Sequence, residues 1–407
     1  MAHAKSTMRA NQAYMSLSGQ PAEDGVTPIA QRDSWYHRLG SPSKVLAPLV
    51  DQSECAFRIL CRRHGADLCY SPMFSSGQFA SSELYRDSLF GEPDGQGEDA
   101  PLVVQFQGNE PATVLAAAKL VQHRCNAVDL NLGCPQKIAR RGRFGAWLSD
   151  EPKLVAEIVG TLHCHLDCPV TCKIRLLEAG ISSTIDYARM LQGAGASVVA
   201  VHGRTREQRG AVQGAADWAA IAAVKQALTV PVLANGGIHT PADVARCRAA
   251  TGADGVLVGE ALLENPALFE GAQAGVDQIA LAREYLDLQA TCPANLNSVK
   301  QHLFSILYAD VQVHTDLRTR LHRARTLDDM AVVVEECARR PAAQRAPFST
   351  ERDAYTGWYR RHAWEAERAA SRKAEQHDDE TGTPAAATGQ DGVAEEPEFV
   401  LPDVLDM

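Results

Sequence analysis

No run of about eighteen apolar residues occurs in the 407-residue chain, so a membrane-spanning helix is not expected. The first residues lack the apolar core of a secretory signal, and the eleven cysteines are odd in number and scattered. Both absences argue for a reducing compartment with free thiols, the cytoplasm first and the nucleus second. Mitochondrial import is left open by residues 1–22, which carry Lys5 and Arg9 and no acid. A basic excess is also missing: 40 Lys and Arg stand against 50 Asp and Glu, a formal charge of −10. Ten of those acids lie in residues 374–407, which have no Lys or Arg, so the remainder is balanced and a nucleic-acid partner is not excluded. There is no G-x-G-x-x-G turn after an early strand, which removes a separate dinucleotide-binding domain.

The composition, 45% hydrophobic and 22% charged, is that of a globular protein. Residues 1–41 are polar and aperiodic and read as a disordered leader. From 42 to 274 short Val-, Leu- and Ile-rich runs alternate with helix-length segments. Eight runs are expected strands: 45–50, 66–71, 102–106, 127–130, 170–174, 197–202, 232–234 and 255–258. Helices are expected at 110–124, at 150–164 with Pro152 in its first turn, and after Thr240 and Pro241. Eight alternations fit a closed α/β structure, the TIM (β/α)8 barrel, better than an open doubly wound sheet. Residues 275–340 keep helical periodicity, with Val299, Leu303, Ile306 and Leu307 on one face and Leu327, Met330, Ala331, Val334 and Cys337 on another. They are expected to form a small all-helical domain. A basic aromatic extension (341–373, with Trp358, Tyr359, Arg360, Arg361, His362 and Trp364) and an acidic disordered tail (374–407) follow.

Barrels place their chemistry where strands end. Here those ends are polar: Pro48 and Asp51, Ser71 and Met73, Gln105, Asn131 and Cys134, Lys173 and Arg175, His202 and Arg204, Asn235, then Gly259 and Glu260. Lys173 and Arg175 share one parity, so a regular strand aims both inward, where buried cations need a counter-charge. Either a structural salt bridge or an anionic cofactor supplies it. Glycines after the seventh and eighth runs, Gly236, Gly237 and Gly259, suit phosphate binding by backbone N–H groups. Cys134 lies between Gly133 and Pro135 in a tight turn that holds its thiol over the barrel mouth, as proton donor or as nucleophilic thiolate. His163, Cys164, His165, Cys168 and Cys172 offer a metal reading, but Pro169 places Cys172 in a strand facing away from Thr171 and Lys173, and no metal is expected.

At these residues the chain resembles the tRNA-dihydrouridine synthases. The likeness runs in register through Leu46-Ala47-Pro48, Tyr70-Ser71-Pro72-Met73, Val104-Gln105-Phe106-Gln107-Gly108, Asn131-Leu132-Gly133-Cys134-Pro135, Cys172-Lys173-Ile174-Arg175, Val201-His202-Gly203-Arg204-Thr205 and Asn265-Pro266-Ala267-Leu268-Phe269. Val50-Asp51-Gln52-Ser53-Glu54, Cys134-Pro135-Gln136, His302-Leu303-Phe304 and Val311-Gln312-Val313-His314 are similar to the eukaryotic branch acting at D-loop positions 16 and 17. The resemblance implies an oxidoreductase with FMN as cofactor, NADPH or NADH as reductant and tRNA as partner; the helical domain 275–340 is expected to bind the tRNA, and the protein is expected to be a monomer. It implies that Cys134 is the proton donor, that Gln105, Lys173 and His202 contact the flavin, and that Gly236, Gly237 and Gly259 hold its phosphate. Pro48, Asn235 and Glu260 join the expected cofactor site, and Asn131, Arg175 and Arg204 the expected substrate site. Two departures fall in the phosphate loops: Gly237 replaces a common Asn or Asp, and Glu260 an Arg of bacterial relatives. A barrel oxidoreductase of a free pyrimidine such as dihydroorotate lacks the helical extension, and an RNA-binding relative without catalysis would not need Cys134 and Lys173.

Overall fold

The computed structural model describes residues 35–91, 94–209, 214–271 and 277–340. The expected basic aromatic extension and acidic tail, and most of the expected leader, lie outside them. Eight parallel strands close in sequence order into one barrel. They are β1 (Lys44–Leu46), β2 (Leu68–Ser75), β3 (Leu102–Gln107), β4 (Ala127–Leu132), β5 (Val170–Leu176), β6 (Ala196–Thr205), β7 (Val232–Asn235) and β8 (Gly255–Val258). Pairing of Lys44, Val45 and Leu46 with Val256, Leu257 and Val258 closes the ring.

The strand ends differ from expectation for local reasons. The first run stops at Leu46, before Pro48, and the chain then turns through Asp51 in the left-handed region at φ 57°. The second extends to Ser75 through Pro72, which sits at a register irregularity between Tyr70 and Met73 where its missing N–H is tolerated. The folded part also begins earlier than the expected leader boundary at residue 41. Residues 35–38 are helical, and Trp35 and Tyr36 are buried against Val45, Leu68, Tyr70, Val103, Ala127, Val198, Leu233 and Leu257. Two aromatic side chains thus cap the floor of the barrel, and their burial outweighs the polar setting in which the sequence presents them.

Outside the strands lie α1 (Cys55–Arg63), α2 (Pro111–Val121), α3 (Lys137–Gly142), α4 (Pro152–His165), α5 (Ile181–Gly193), α6 (Trp218–Ala227) and α7 (Pro241–Thr251). The start of α7 is a capping box between Thr240 and Asp243 with Pro241 in the first turn, and α4 likewise opens on a proline. Five more helices follow: α8 (Gln278–Leu288), α9 (Leu296–Ile306), α10 (Tyr308–Val313), α11 (Thr315–Arg323) and α12 (Leu327–Arg339). Their buried residues, including Val299, Leu303, Met330, Val334 and Cys337, belong to the same apolar core as α1 and the outer barrel. No helix among the described residues is long and apolar enough to cross a membrane.

The junction between α1 and these helices is polar at its centre. Both oxygens of Glu54 are engaged: Tyr285 Oη donates to one at 2.7 Å, and His302 Nε2 lies 3.0 Å from the other. The His302 ring stacks on Phe57 with centroids 4.2 Å apart. Among the described residues one grouping has metal-ligand proximity, Cys55, Asp94 and Asp99, but Arg58 already lies 2.5 Å from Asp94 and 2.6 Å from Asp99. Of the five residues weighed as a metal site, Cys172 is buried in the outer core on β5, while His163, Cys164 and His165 end α4.

Candidate active site

Strands β3 to β6 alternate, with apolar side chains outward and, near their C-terminal ends, polar ones inward. The inward set is Gln105, then Asp129 and Asn131, then Thr171, Lys173 and Arg175, then His202 and Arg204. Below them the barrel is filled by apolar residues, so the polar layer sits on a dry floor. Above it opens a cleft. Its lining includes every expected site residue: Pro48, Gln105, Asn131, Cys134, Lys173, Arg175, His202, Arg204, Asn235, Gly236, Gly237, Gly259 and Glu260. Residues as far apart in sequence as 48 and 260 therefore share one wall.

A hydrogen-bonded chain fixes the side of the cleft nearest Cys134. Thr171 Oγ1 donates to Asp129 at 2.6 Å, and Gln105 Nε2 donates to the other Asp129 oxygen at 2.8 Å. Asn131 Nδ2 donates to Gln105 Oε1 at 2.8 Å, and Asn131 Oδ1 accepts from the backbone N–H of Gly133 at 3.2 Å and of Cys134 at 3.0 Å. Both ends of the Asn131 amide are thus engaged inside the protein, and its task is to hold the Cys134 turn. Arg175 buttresses that turn too, donating from Nε to Gly133 O at 2.9 Å and from Nη1 to Thr205 O at 2.9 Å. The Gly145 conformation, φ 63°, lets the following segment pass under the cysteine, because a Cβ there would lie 2.7 Å from Cys134 O.

Burial pushes the Cys134 thiol up, against the pull of a backbone hydrogen bond at Gln136 and of Arg175, Lys173 and Arg209. At neutral pH it therefore holds its proton. Lys173 is brought down to about 8 by burial and by Arg175, against Asp129 and Cys134. Burial carries Asp129 up to about 6 and Glu260 up to about 7, the latter in spite of Arg204 and Arg175. His202 is held well below its ordinary value by burial and by Arg175, Lys173 and Arg204, so it is neutral. Its Nε2 lies 3.1 Å from Arg204 Nη1, which can only donate, so the ring proton sits on Nδ1. Three cations against two weakened acids leave the cleft with a positive surplus.

At the far side, Gly236 and Gly237 adopt φ 99° and 75° after β7. A Cβ on Gly236 would lie 2.7 Å from the His202 ring, so the turn is closed to larger residues. Trp218 Nε1, on α6, donates to Gly236 O at 3.0 Å and holds the turn after β7, while Asn235 Nδ2 donates to Leu257 O at 2.7 Å and ties the ends of β7 and β8 together.

The dihydrouridine synthase (Dus) family profile matches residues 45–344, barrel and C-terminal helices together. The chain belongs to the dihydrouridine synthase family. A tRNA-dihydrouridine(16/17) synthase [NAD(P)(+)]-like protein of Rattus norvegicus is 47% identical over 300 residues, covering 74% of this chain and 67% of its own. The Mus musculus counterpart is 46% identical, covering 74% and 62%. In Schizosaccharomyces pombe the tRNA-dihydrouridine(16/17) synthase [NAD(P)(+)] is 42% identical over 307 residues, covering 72% and 76%. The chain thus spans between about three fifths and three quarters of these relatives' lengths.

Within this dihydrouridine synthase barrel, sequence reasoning overlooked Asp129, Thr171, Gln52 and His239. Asp129 and Thr171 carried a usable signal, since each shares the inward parity of its strand neighbour, Asn131 or Lys173. Gln52 and His239 reach the cleft from loops, where no periodicity marks them.

Proposed function

We propose that the protein reduces uridine to dihydrouridine in the D-loop of tRNA, at positions 16 and 17, with FMN bound in the cleft and NADPH or NADH as the source of electrons. The names of its relatives support the substrate, the positions and the nicotinamide reductant. The observation that carries the chemistry is Cys134, a protonated thiol held by Asn131 and Arg175 at the lip of a cation-lined cleft.

The C5=C6 bond of uracil is conjugated to its C4 carbonyl, so hydride addition at C6 leaves negative charge spread over C5 and O4. Neutralising it requires a proton at C5. Reduced FMN would supply the hydride. The Cys134 Sγ–H supplies the proton, a general-acid contribution of roughly 10²–10⁴ in rate. A thiol kept protonated by burial suits this role better than that of a nucleophile.

The residues present fit the cofactor. The positive surplus of Lys173, Arg175 and Arg204 calls for an anionic occupant, and the amines and guanidinia would stabilise charge growing on O4. Gly236, Gly237 and Gly259 offer backbone N–H groups to a phosphate where no Cβ obstructs approach. Gln105 keeps one N–H and one lone pair beyond its bonds to Asp129 and Asn131, and neutral His202 keeps its Nδ1–H, for the polar edge of a ring system. Pro48, Asn235 and Glu260 shape the wall, while Arg175 and Arg204 face the substrate side. Because the target base sits in folded RNA, it must be extruded into the cleft at a cost of a few kcal/mol, offset by contacts elsewhere on the RNA. The purified protein should be yellow or take up added FMN; a colourless preparation that binds no flavin overturns this reading.

A further inference from the structure

Residues 130–149 contain four cations and no acid, in a chain whose formal charge is −10. All four, Lys137, Arg140, Arg141 and Arg143, lie on α3 or at its C-cap, and all are exposed. Arg143 is neutralised by Glu151, but among the described residues Lys137, Arg140 and Arg141 have no ion-pair partner. The core needs none of them: α3 is anchored by Ala139, which is buried with Phe144 against Cys134. Lys137 follows Cys134 by three residues, so their Cα atoms are at most roughly 11 Å apart.

The surface beside α3 is built to hold guanidinium groups in place. Trp147 carries Arg140 5.0 Å and Arg206 4.5 Å from its ring centroid, and Arg206 is tethered to Asp150 at 2.8 Å. Arg209 donates to the carbonyl of Pro135, the residue after Cys134, at 2.6 Å. Cations therefore flank the cysteine both on α3 and on the segment after β6. Stacked guanidinia lose less freedom on binding than free side chains, and their planar forks match phosphate oxygens.

We propose that this rim, Lys137, Arg140 and Arg141 with Arg209, grips the RNA phosphates on either side of the extruded nucleotide. The inference rests on the cleft being a uridine-reducing site. A base inserted to Cys134 remains joined to its own backbone, so its neighbouring phosphates must lie at the lip of the cleft, where these cations are the ones at hand. The barrel itself thus holds the substrate locally, in addition to whatever the C-terminal helices contact.

The test uses the full-length, flavin-loaded protein and unmodified tRNA, with affinity measured over a series of salt concentrations. The double variant Lys137→Ala/Arg141→Ala should bind on the order of tenfold more weakly at low salt. Its plot of log affinity against log salt should be shallower by about 1.5, two phosphate contacts at roughly 0.7–0.9 each. Reduction of the bound flavin by NADPH and the melting temperature should stay at wild-type values. Conservative Arg141→Lys should keep the wild-type slope, and Lys119→Ala, in the last turn of α2, should change nothing. Wild-type affinity and slope in the double variant overturn the proposal, as does an equal loss in Lys119→Ala. Wild-type protein that binds no tRNA would instead overturn the functional reading beneath it.

Discussion

Cys134 and Lys173 face the same cleft, and burial moves them in opposite senses, the thiol up and the ammonium down. Replacing Cys134 by Ala removes the proposed proton donor and leaves the cation surplus, so flavin content and its reduction by NADPH should survive. Formation of dihydrouridine should fall by roughly 10²–10⁴, read by mass spectrometry of tRNA digests. Unimpaired turnover would remove the thiol from the mechanism. For Lys173 the sign follows from its depressed value. Between its folded pKa of about 8 and its ordinary 10.5 the unfolded chain binds more protons, so this group makes the cofactor-free protein more stable as pH rises through that window. An anionic cofactor favours the charged amine. FMN affinity should therefore be strongest below about pH 8 and weaken as pH rises through it, and Lys173→Ala should abolish that step. Fluorescence titration of the cofactor-free protein across the alkaline range checks it, and a pH-independent affinity in the wild type would sink the assignment.

At the scale of elements, the β1–α1 segment does two tasks within ten residues. Pro48, Leu49, Val50 and Gln52 line the cleft, while Gln52 also donates to Gln301 at 3.1 Å and Glu54 meets Tyr285 and His302. Removing the Glu54 carboxylate strands a buried tyrosine hydroxyl and a buried imidazole, so Glu54→Ala should cost about 2–4 kcal/mol in urea unfolding. A loss under about 0.5 kcal/mol would show that the junction is held by its apolar contacts alone. The sequence made the eight strands legible, because their apolar runs recur with turn signals between them, and it made the cleft legible because polar residues close each run. It did not show where β1 stops or β2 bends, since an αL turn at Asp51 and a tolerated Pro72 depend on register with neighbouring strands. Nor did it show that Gln52 and Glu54 touch Gln301 and His302, because no local pattern encodes a contact across some 250 positions.

For the whole molecule, α8 to α12 are part of the barrel's outer core rather than an appendage, since Phe57 and Tyr285 pack edge to face across the junction. Ending the chain before Val276 should uncover that face of α1 and lower both solubility and melting temperature; a truncated barrel that melts like the full chain would contradict this. Deleting residues 374–407 removes ten acids and no Lys or Arg. Affinity for tRNA should hold or rise, most visibly at low salt where screening is weakest, and a marked loss would mean the tail contributes contacts of its own. The catalytic outcomes above depend on the proposed reduction of uridine in tRNA by this barrel. Incubating unmodified tRNA with the protein, FMN and NADPH and mapping the products is its most direct test. Dihydrouridine should form at positions 16 and 17 and only when NADPH is present, whereas tRNA left without dihydrouridine at any position, by a protein whose flavin NADPH does reduce, would contradict the account.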